Sequence, residues 1–356
     1  MDLQLRPFAD IDLTDPFFDS LKATYPEFSK WYNKKAAAGE QAYVFYFDDG
    51  RVADFLYMKI ETDAVEDVEP VLPAKRRLKV GTFKLLSRGT RRGERFMKKI
   101  MDRAMAEDVD EVYVTIFPTE ELDSLIRLFS KFGFNHQADK IHPNGTHELV
   151  MVKDMKNVVG NVLKDYPRIR PVGKRKWLLA IKPKYHTRLF PDSILNNESY
   201  DLVQDLTSTN GIYKVYISWI KECAQMRPGD LVVIYRTSDG LGPAKYRSVA
   251  TSICTVEEVK NWSTPPTNVN DYLRYTQYSV FSEEERKEWF RENHGLLVIK
   301  MLYNIAFAKR VIRKDLLEQV GLSDSNTQYW GFFELTDDQF RHIARLGNAN
   351  ERYIID

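Results

Sequence analysis

The chain has 356 residues, of which 43% are hydrophobic and 29% are charged, and its net charge at pH 7 is +1. This composition predicts a soluble, globular protein of two domains and excludes a disordered chain, a disulfide scaffold and a uniformly basic nucleic-acid binder. No apolar run is long enough to span a membrane and the N-terminus lacks a signal-peptide pattern, so we expect a cytoplasmic protein.

The first half of the chain alternates between strand and helix patterns. The turn Asp48-Asp49-Gly50 between two apolar runs predicts a hairpin, and Thr14-Asp15-Pro16 predicts a helix start. In chain order we predict a strand at 3–8, helices at 14–21 and 27–38, hairpin strands at 42–47 and 52–60, a strand at 77–86, a helix at 93–108, a strand at 111–117, a helix at 121–132 and a strand at 148–152. This order predicts an α/β (α+β) domain over residues 1–155.

A basic turn joins the strand 77–86 to the helix 93–108. Between Lys75 and Arg103, basic residues outnumber acidic ones twelve to two. The first turn of a helix offers unpaired N–H groups and a positive dipole end, and glycine lets a phosphate approach the backbone. The pattern therefore predicts a polyphosphate site formed by Leu85, Leu86, Arg88, Gly89, Thr90, Arg91, Arg92, Gly93 and Glu94.

The second half has a different pattern. Residues 156–175 are rich in Lys and Arg and are interrupted by Pro and Gly, which predicts a basic linker. Beyond it, short apolar strands separated by Gly- and Pro-containing turns begin near residues 177, 231, 249 and 295. Short strands with such turns predict a small β-barrel with helices over residues 176–356.

The basic turn resembles the acetyl-CoA pyrophosphate loop of the GNAT N-acetyltransferases, with Arg91 where that family usually has its central glycine. Residues 125–134, which end in Gly-Phe, resemble the family's later helix, and 112–116 resembles the strand that splays from its neighbour. The resemblance covers residues 1–155. It implies a mixed sheet with flanking helices and an enzyme that transfers the acetyl group of acetyl-CoA to an amine without a metal.

The resemblance also implies where the catalytic groups lie. A backbone N–H near Leu85 or Leu86 would stabilise the oxyanion, and Glu61, beside the expected cleft, is a candidate general base, although a solvated acid at a strand end needs no such role. Phe129 stands at the family's usual tyrosine acid and cannot donate a proton. Tyr113, Tyr57 or water would then protonate the thiolate, although the ordinary explanation of each tyrosine is a core or sheet-face aromatic.

The second half resembles the PUA-like superfamily in its ASCH and EVE branches, over residues 176–356, through Ile181-Lys-Pro-Lys-Tyr185 and the Arg-Pro-Gly-Asp-Leu-Val strand that follows. The resemblance implies binding of RNA or a modified base. The Gly-Lys-x-x-Thr segment of ASCH amidohydrolases is missing from 187–193, which argues against hydrolysis. The candidate nucleic-acid contacts are Lys174, Arg175, Lys176, Trp177 and Trp219; the two tryptophans are equally explained as core.

Three functions remain open from the sequence. The first is an acetyltransferase that a C-terminal module brings to RNA, such as tRNA, or to a modified base. The second is a regulatory protein that binds CoA and nucleic acid without fast transfer, and the third is a protein acetyltransferase whose β-domain recruits a partner. His136, His142 and His147 are predicted to be surface histidines rather than metal ligands. The acetyl acceptor and the oligomeric state are not specified.

Overall fold

The structure is a computed structural model that describes residues 3–86, 91–191, 211–263, 268–292, 295–325 and 329–355. The chain divides into two compact units, Met1–Val159 and Gly160–Asp356. Within the described ranges, no helix is long and apolar enough to cross a membrane. Residues of the predicted linker 156–175 pack in the second unit, where Ile169 is buried beside Leu178; the domain boundaries at 155 and 176 stay a prediction.

Unit 1 is built on one mixed sheet. Its strands are β1 (Leu3–Pro7), β2 (Gln41–Tyr46), β3 (Val52–Glu61), β4 (Arg77–Leu85), β5 (Glu111–Ile116), β6 (Asn135–Ile141) and β7 (His147–Asp154). Its helices are α1 (Asp19–Thr24), α2 (Phe28–Ala37), α3 (Arg92–Ala106) and α4 (Asp123–Lys131). The strand order is β1-β2-β3-β4-β5-β7-β6, and among the described strands of this sheet only the β4–β5 pair is parallel. The predicted mixed α/β sheet is therefore present.

The two faces of this sheet carry different helices. On one face, the aromatic side chains of β3, Phe55 and Tyr57, pack with residues from α1, α2 and the preceding segments. On the other face lies α3, whose apolar stripe includes the buried Phe96, Ile100 and Met101. A helix with such a stripe is stabilised by the sheet that it covers.

Strand β6 was not specified by the sequence pattern. Only Ala138 of its seven residues is buried, so its sequence lacks the alternation that identifies a half-buried strand. It is held by β7, with which it pairs from Asn135 to Ile141. Tertiary pairing, rather than local pattern, makes this segment a strand.

Unit 2 is built on a second mixed sheet. Its strands are β8 (Lys176–Ile181), β9 (Tyr213–Ser218), β10 (Leu231–Arg236), β11 (Val249–Asn261), β12 (Leu297–Ile312) and β13 (Phe332–Leu335). Its helices are α5 (Pro183–Leu189), α6 (Ala244–Arg247), α7 (Val269–Tyr275), α8 (Glu283–Glu292), α9 (Arg313–Glu318) and α10 (Asp337–Leu346).

The prediction of a small β-barrel for this unit was wrong for the part of the chain that the structure describes. The strands follow the order β13-β8-β10-β11-β12-β9, and the two edge strands, β13 and β9, do not pair with each other among the described residues. The sheet is therefore open, and a barrel requires its first and last strands to pair. The sequence also indicated few helices, whereas six helices lie in the described part of this unit.

Phe129 in α4 lies in an aromatic core rather than at an exposed position. Its ring is fully buried and meets Phe134 edge-on at 4.8 Å between ring centroids and Phe83 at 5.5 Å. Its aromatic neighbours place Phe129 in the packing of α4 on the sheet. A hydroxyl added to the ring would be buried among these residues.

We predict that Phe129→Tyr destabilises unit 1 by about 1–3 kcal/mol, because a buried hydroxyl without a partner costs that much. Hydrogen exchange of the peptides that cover α3 and α4 measures the effect locally, and their amides should exchange faster in the variant. Phe47→Tyr is the control, since Phe47 is half-buried and its added hydroxyl can reach water. Unchanged exchange in Phe129→Tyr would mean that the ring faces a polar space.

Candidate functional site

The neighbouring parallel strands β4 and β5 part within the sheet. Their pairing begins at Arg77 with Glu111 and ends at Val80 with Val114. Beyond that point β4 continues to Leu85 paired only with β3, and β5 continues to Ile116 paired only with β7, as far as the described strands are concerned. The strands thus leave a gap, and no described strand pairs with the two edges that face it.

A bulge in β4 accounts for the parting. Thr82 pairs with Tyr57 and Val80 pairs with Met58, so Gly81 has no partner on β3. A bulge bends its strand and increases the local twist, and this one directly follows the last pair between β4 and β5. Gly81 also fits closely against the Tyr57 ring, since an added Cβ would lie 2.9 Å from Cδ1.

The backbone of β4 turns specific N–H groups toward the gap. The Leu86 N–H donates to the Ala53 carbonyl at 3.1 Å and to Asp54 Oδ1 at 3.2 Å, so it faces β3. Because N–H directions alternate along a strand, the N–H groups of Phe83 and Leu85 face the β5 side. Of the two oxyanion donors that the sequence suggested, Leu86 is engaged with β3 and Leu85 faces the gap.

Asp54 fixes the geometry at the end of β4. Its side chain is fully buried; Oδ1 accepts from Leu86 and Oδ2 accepts from Arg92 Nη1 at 3.0 Å. One carboxylate therefore joins the end of the strand to the first turn of α3. Arg92 was predicted to contact a cofactor; its buried guanidinium contacts Asp54, a position that does not favour this role.

The remaining predicted ligands of the turn fall into two groups. Arg88, Gly89 and Thr90 lie outside the described residues. Arg91 is the N-cap of α3 and Glu94 lies in its first turn, with Arg91 Nε 3.4 Å from Glu94 Oε2. Burial raises the pKa of Glu94, although the charges of Arg91 and Lys131 act in the opposite direction.

Gly93 serves helix packing. A Cβ at this position would lie 3.0 Å from Leu128 Cδ2 and 3.3 Å from Leu85 Cδ1. The missing side chain therefore allows α3 to approach both α4 and β4 closely. A substitution of Gly93 would disturb this packing, so it is not a clean test of phosphate binding.

Glu61 and Tyr113 are in contact, as candidates for one catalytic site must be. The Tyr113 hydroxyl donates to the Glu61 carboxylate, which also pairs with the Lys59 ammonium and lies 3.9 Å from that of Lys79. Burial alone would raise the pKa of Glu61, but the hydrogen bonds from Lys59 and Tyr113 and the charge of Lys79 outweigh it, and the pKa is lowered. Burial and the Glu61 carboxylate raise the pKa of Tyr113.

These pKa shifts and the position of the pair argue against proton transfer there. A carboxylate with a lowered pKa is a weak base, and a phenol with a raised pKa is a weak acid. Glu61 is paired with Arg77, eight residues before Leu85, or about 26 Å along the strand at ~3.3 Å per residue. The catalytic roles of Glu61 and Tyr113 stay a prediction that this geometry does not favour.

A polar cluster that the sequence analysis did not identify lies where β5 ends. The buried Glu148 carboxylate contacts His142 Nε2 at 2.8 Å and accepts from the Tyr25 hydroxyl at 3.3 Å. The ring of Phe117, the residue after β5, stacks on the His142 imidazole at 5.6 Å and lies 5.8 Å from that of Tyr25. The sequence predicted a surface histidine at position 142 and did not indicate that His142 contacts the buried Glu148 carboxylate.

The basic residues proposed to meet nucleic-acid phosphates are mostly paired within unit 2. Arg175 forms two hydrogen bonds with Glu334, at 2.8 and 2.7 Å, and the buried Lys176 Nζ lies 2.6 Å from Asp337 Oδ1. Lys174 is exposed. The expectation that these three residues form a basic phosphate-binding run is therefore not favoured, because two of the three charges are neutralised by acids distant in sequence.

The two candidate tryptophans differ in environment. Trp177 is buried, stacks on Phe332 at 4.7 Å between ring centroids, and donates from Nε1 to Asp230 Oδ2 at 3.0 Å. It is a core residue and presents no face to a base. Trp219 is 40% exposed and packs edge-on against Trp289 at 5.1 Å, so it remains available for stacking.

In the described ranges, no three His, Cys, Asp or Glu side chains are arranged to hold a metal ion.

No protein-family model matches the sequence, and no curated protein matches it. Solved structures that are similar to part of the chain include Naa20 of Chaetomium thermophilum in complex with a bisubstrate analogue, at 16% identity over 47% of this chain and 90% of that chain, with a TM-score of 0.33. NAA60 of Arabidopsis thaliana in complex with acetyl-CoA is 13% identical over 43% of this chain and 99% of that chain, with a TM-score of 0.31. An ASCH protein of Zymomonas mobilis is 11% identical over 51% of this chain and 98% of that chain, with a TM-score of 0.31. At such identities and TM-scores these similarities carry no argument about function.

Proposed function

We propose that unit 1 is an acetyl-CoA-dependent N-acetyltransferase. The observation that carries the proposal is the gap between β4 and β5, whose β4 edge leads directly to the first turn of α3. A linear ligand with amide groups along its length can pair with such an edge as an added strand does. A ligand with a polyphosphate at one end would then place its charge at the start of a helix, where N–H groups and the helix dipole favour anions.

The residues present fit the pantetheine arm and pyrophosphate of acetyl-CoA. The N–H groups of Phe83 and Leu85 face the gap, and the Asp54 contacts hold the end of β4 and the start of α3. Arg91, the N-cap residue of α3, adds a positive charge at the start of the helix. From Leu85 back to Val80 the strand spans about 17 Å, which gives an extended arm room to lie along the edge of the gap.

The chemistry that this arrangement supports is direct transfer. Acetyl-CoA supplies an activated thioester. A bound amine beside it reacts without a covalent enzyme intermediate, and most of the rate gain comes from proximity and orientation. An N–H of the β4 edge donates to the oxygen on which negative charge develops. Phe129 has no proton to give, so solvent protonates the departing thiolate.

The role proposed for unit 2 is targeting of this activity to RNA or a modified base. The observation that supports this role is the exposed Trp219, because an aromatic side chain that stacks on a base contributes about 1–3 kcal/mol per base. A regulatory protein that binds CoA without fast transfer is the second candidate, and the buried Phe129 in place of an acid is the observation that favours it.

The test of the proposed function is release of free CoA thiol from acetyl-CoA in the presence of an amine panel: alkylamines, arylamines, peptides with free N-termini and aminoacylated tRNA. Amine-dependent release with an acetylated product in mass spectrometry supports the enzyme. Binding of CoA in calorimetry without release for any amine would favour the regulatory protein instead.

We predict that Arg91→Ala weakens CoA binding about tenfold, or about 1.4 kcal/mol, because it removes a positive charge at the start of α3. Titration calorimetry with CoA measures this change. Arg103→Ala is the matched control: it removes the same charge from the last turn of the same helix and should change the affinity less than twofold. Equal losses in both variants would mean that net charge, and not this turn, attracts the ligand.

We predict that Glu61→Gln leaves kcat within threefold of wild type and lowers the stability of unit 1 near pH 7. Because the folded pKa of Glu61 is lowered, the ionised carboxylate contributes stability above its unfolded pKa, and that contribution is lost as the pH falls through the folded pKa. The difference between the urea midpoints of variant and wild type should therefore shrink toward acid pH.

The control for this variant is Glu66→Gln, which changes an exposed carboxylate in the segment after β3. Its urea midpoint should match wild type at neutral pH. A loss of kcat of a hundredfold or more in Glu61→Gln, with an unchanged midpoint, would identify Glu61 as the general base after all.

A further inference from the structure

The cluster around Glu148 lies on the face of the sheet opposite α3. On β3, Tyr57 and Lys59 share the face that carries α1 and α2, and Lys59 pairs with Lys79, which in turn pairs with Tyr113. Tyr113 packs with Val150 and Val152 of β7, so alternation places Glu148 on this same face. The buried contact of Asp54 with Arg92 places α3 on the other face.

The cluster also lies at the open end of the gap. Ile116, the last residue of β5, pairs with Leu149, and Glu148 is the next residue of β7. Phe117 lies two residues, or about 7 Å, beyond Thr115, whose β4-facing edge has no partner among the described strands. A thioester that enters the gap from the α3 side would therefore reach an acceptor held on the cluster's side of the sheet.

The carboxylate determines which imidazole nitrogen is basic. An ionised Glu148 can only accept, so the His142 nitrogen in contact with it, Nε2, carries the hydrogen of the neutral ring. Nδ1 then holds the lone pair. The Tyr25 hydroxyl donates to the other carboxylate oxygen, and the Phe117 ring covers one face of the imidazole. Such support fixes both the tautomer and the orientation of a base.

We propose that His142 is the catalytic base of the transfer reaction and that Glu148 is its positioning residue. This inference rests on the proposed function of unit 1. The amine nitrogen forms a bond to the acetyl carbon, and Nδ1 of His142 accepts the proton that the nitrogen loses. The bond between carbon and sulfur breaks, the thiolate takes a proton from water, and the imidazolium returns its proton to water.

The test uses the full chain and the amine of the panel that is acetylated fastest. His142→Gly should lower kcat/KM by a hundredfold or more, the range that general base catalysis contributes, while the affinity for CoA in calorimetry stays within twofold. Imidazole added to the assay should restore at least a tenth of the lost rate. Glu148→Gln should lower kcat about tenfold with an unchanged KM for the amine.

His136→Gly is the matched control. His136 lies on the same hairpin and also contacts a carboxylate, Asp139 at 3.1 Å, but both side chains are exposed on β6. This variant should keep its rate within twofold and should not respond to imidazole.

Three results would overturn the inference. If His142→Gly keeps its rate within threefold of wild type, His142 is not the base. The same follows if the variant binds CoA but loses its rate and imidazole does not restore it. Wild-type protein that binds CoA but acetylates no amine removes the proposed function itself. If the wild type acetylates an amine and His142→Gly does not slow the reaction, the proposed acetyltransferase function is retained and only the role of His142 is overturned.

Discussion

The parting of β4 from β5 is the constraint on which the account of unit 1 depends. Two adjacent parallel strands ordinarily pair along their length, since an unpaired backbone group inside a protein is costly. Here the pairing stops at Val80 and Val114, directly before the bulge at Gly81. Beyond this point β4 has no partner on its β5 side among the described strands. Asp54 contacts both Leu86, directly after β4, and Arg92, the first residue of α3.

In the folded protein, acidic side chains lie next to several of the basic residues on and around α3. Arg92 is neutralised by Asp54, Lys98 lies 2.9 Å from Asp102, and the buried Arg77 lies 2.7 Å from Glu111. A buried ion pair of this kind positions elements and adds little to a long-range field. The attraction for a polyphosphate therefore depends on the helix start and on the few charges beside it, and the count of basic residues overstates it.

The elements of unit 1 that the sequence predicted are those specified by residues close together in the chain. The Asp-Asp-Gly turn closes the hairpin between β2 and β3, where Gly50 has a φ of 85°, and the apolar stripe of α3 is regular. The strand at 77–86 and the helix at 93–108 follow from such signals, whereas the expected place of the gap came from the resemblance of 112–116 to a strand that splays from its neighbour. These features are encoded by residues close together in the chain.

The rest depends on contacts between distant residues. Lys176 and Asp337 are 161 positions apart, so nothing in the basic run 174–176 indicates that an acid neutralises it. Strand pairing across unit 2 decides that its sheet is open, and the pattern of short strands does not distinguish an open sheet from a barrel. His142 and Glu148 are separated by a hairpin turn, and only the pairing of β6 with β7 brings a histidine onto a buried carboxylate.

The most direct measurement is hydrogen exchange of the full chain with and without CoA, resolved to the amides of β4. The account predicts that CoA slows exchange at Phe83 and Leu85, whose N–H groups face the gap, while Leu86, already bonded to β3, changes little. CoA that binds without protecting Phe83 and Leu85, or that protects only residues of unit 2, would contradict the claim that the parted edge of β4 holds the ligand.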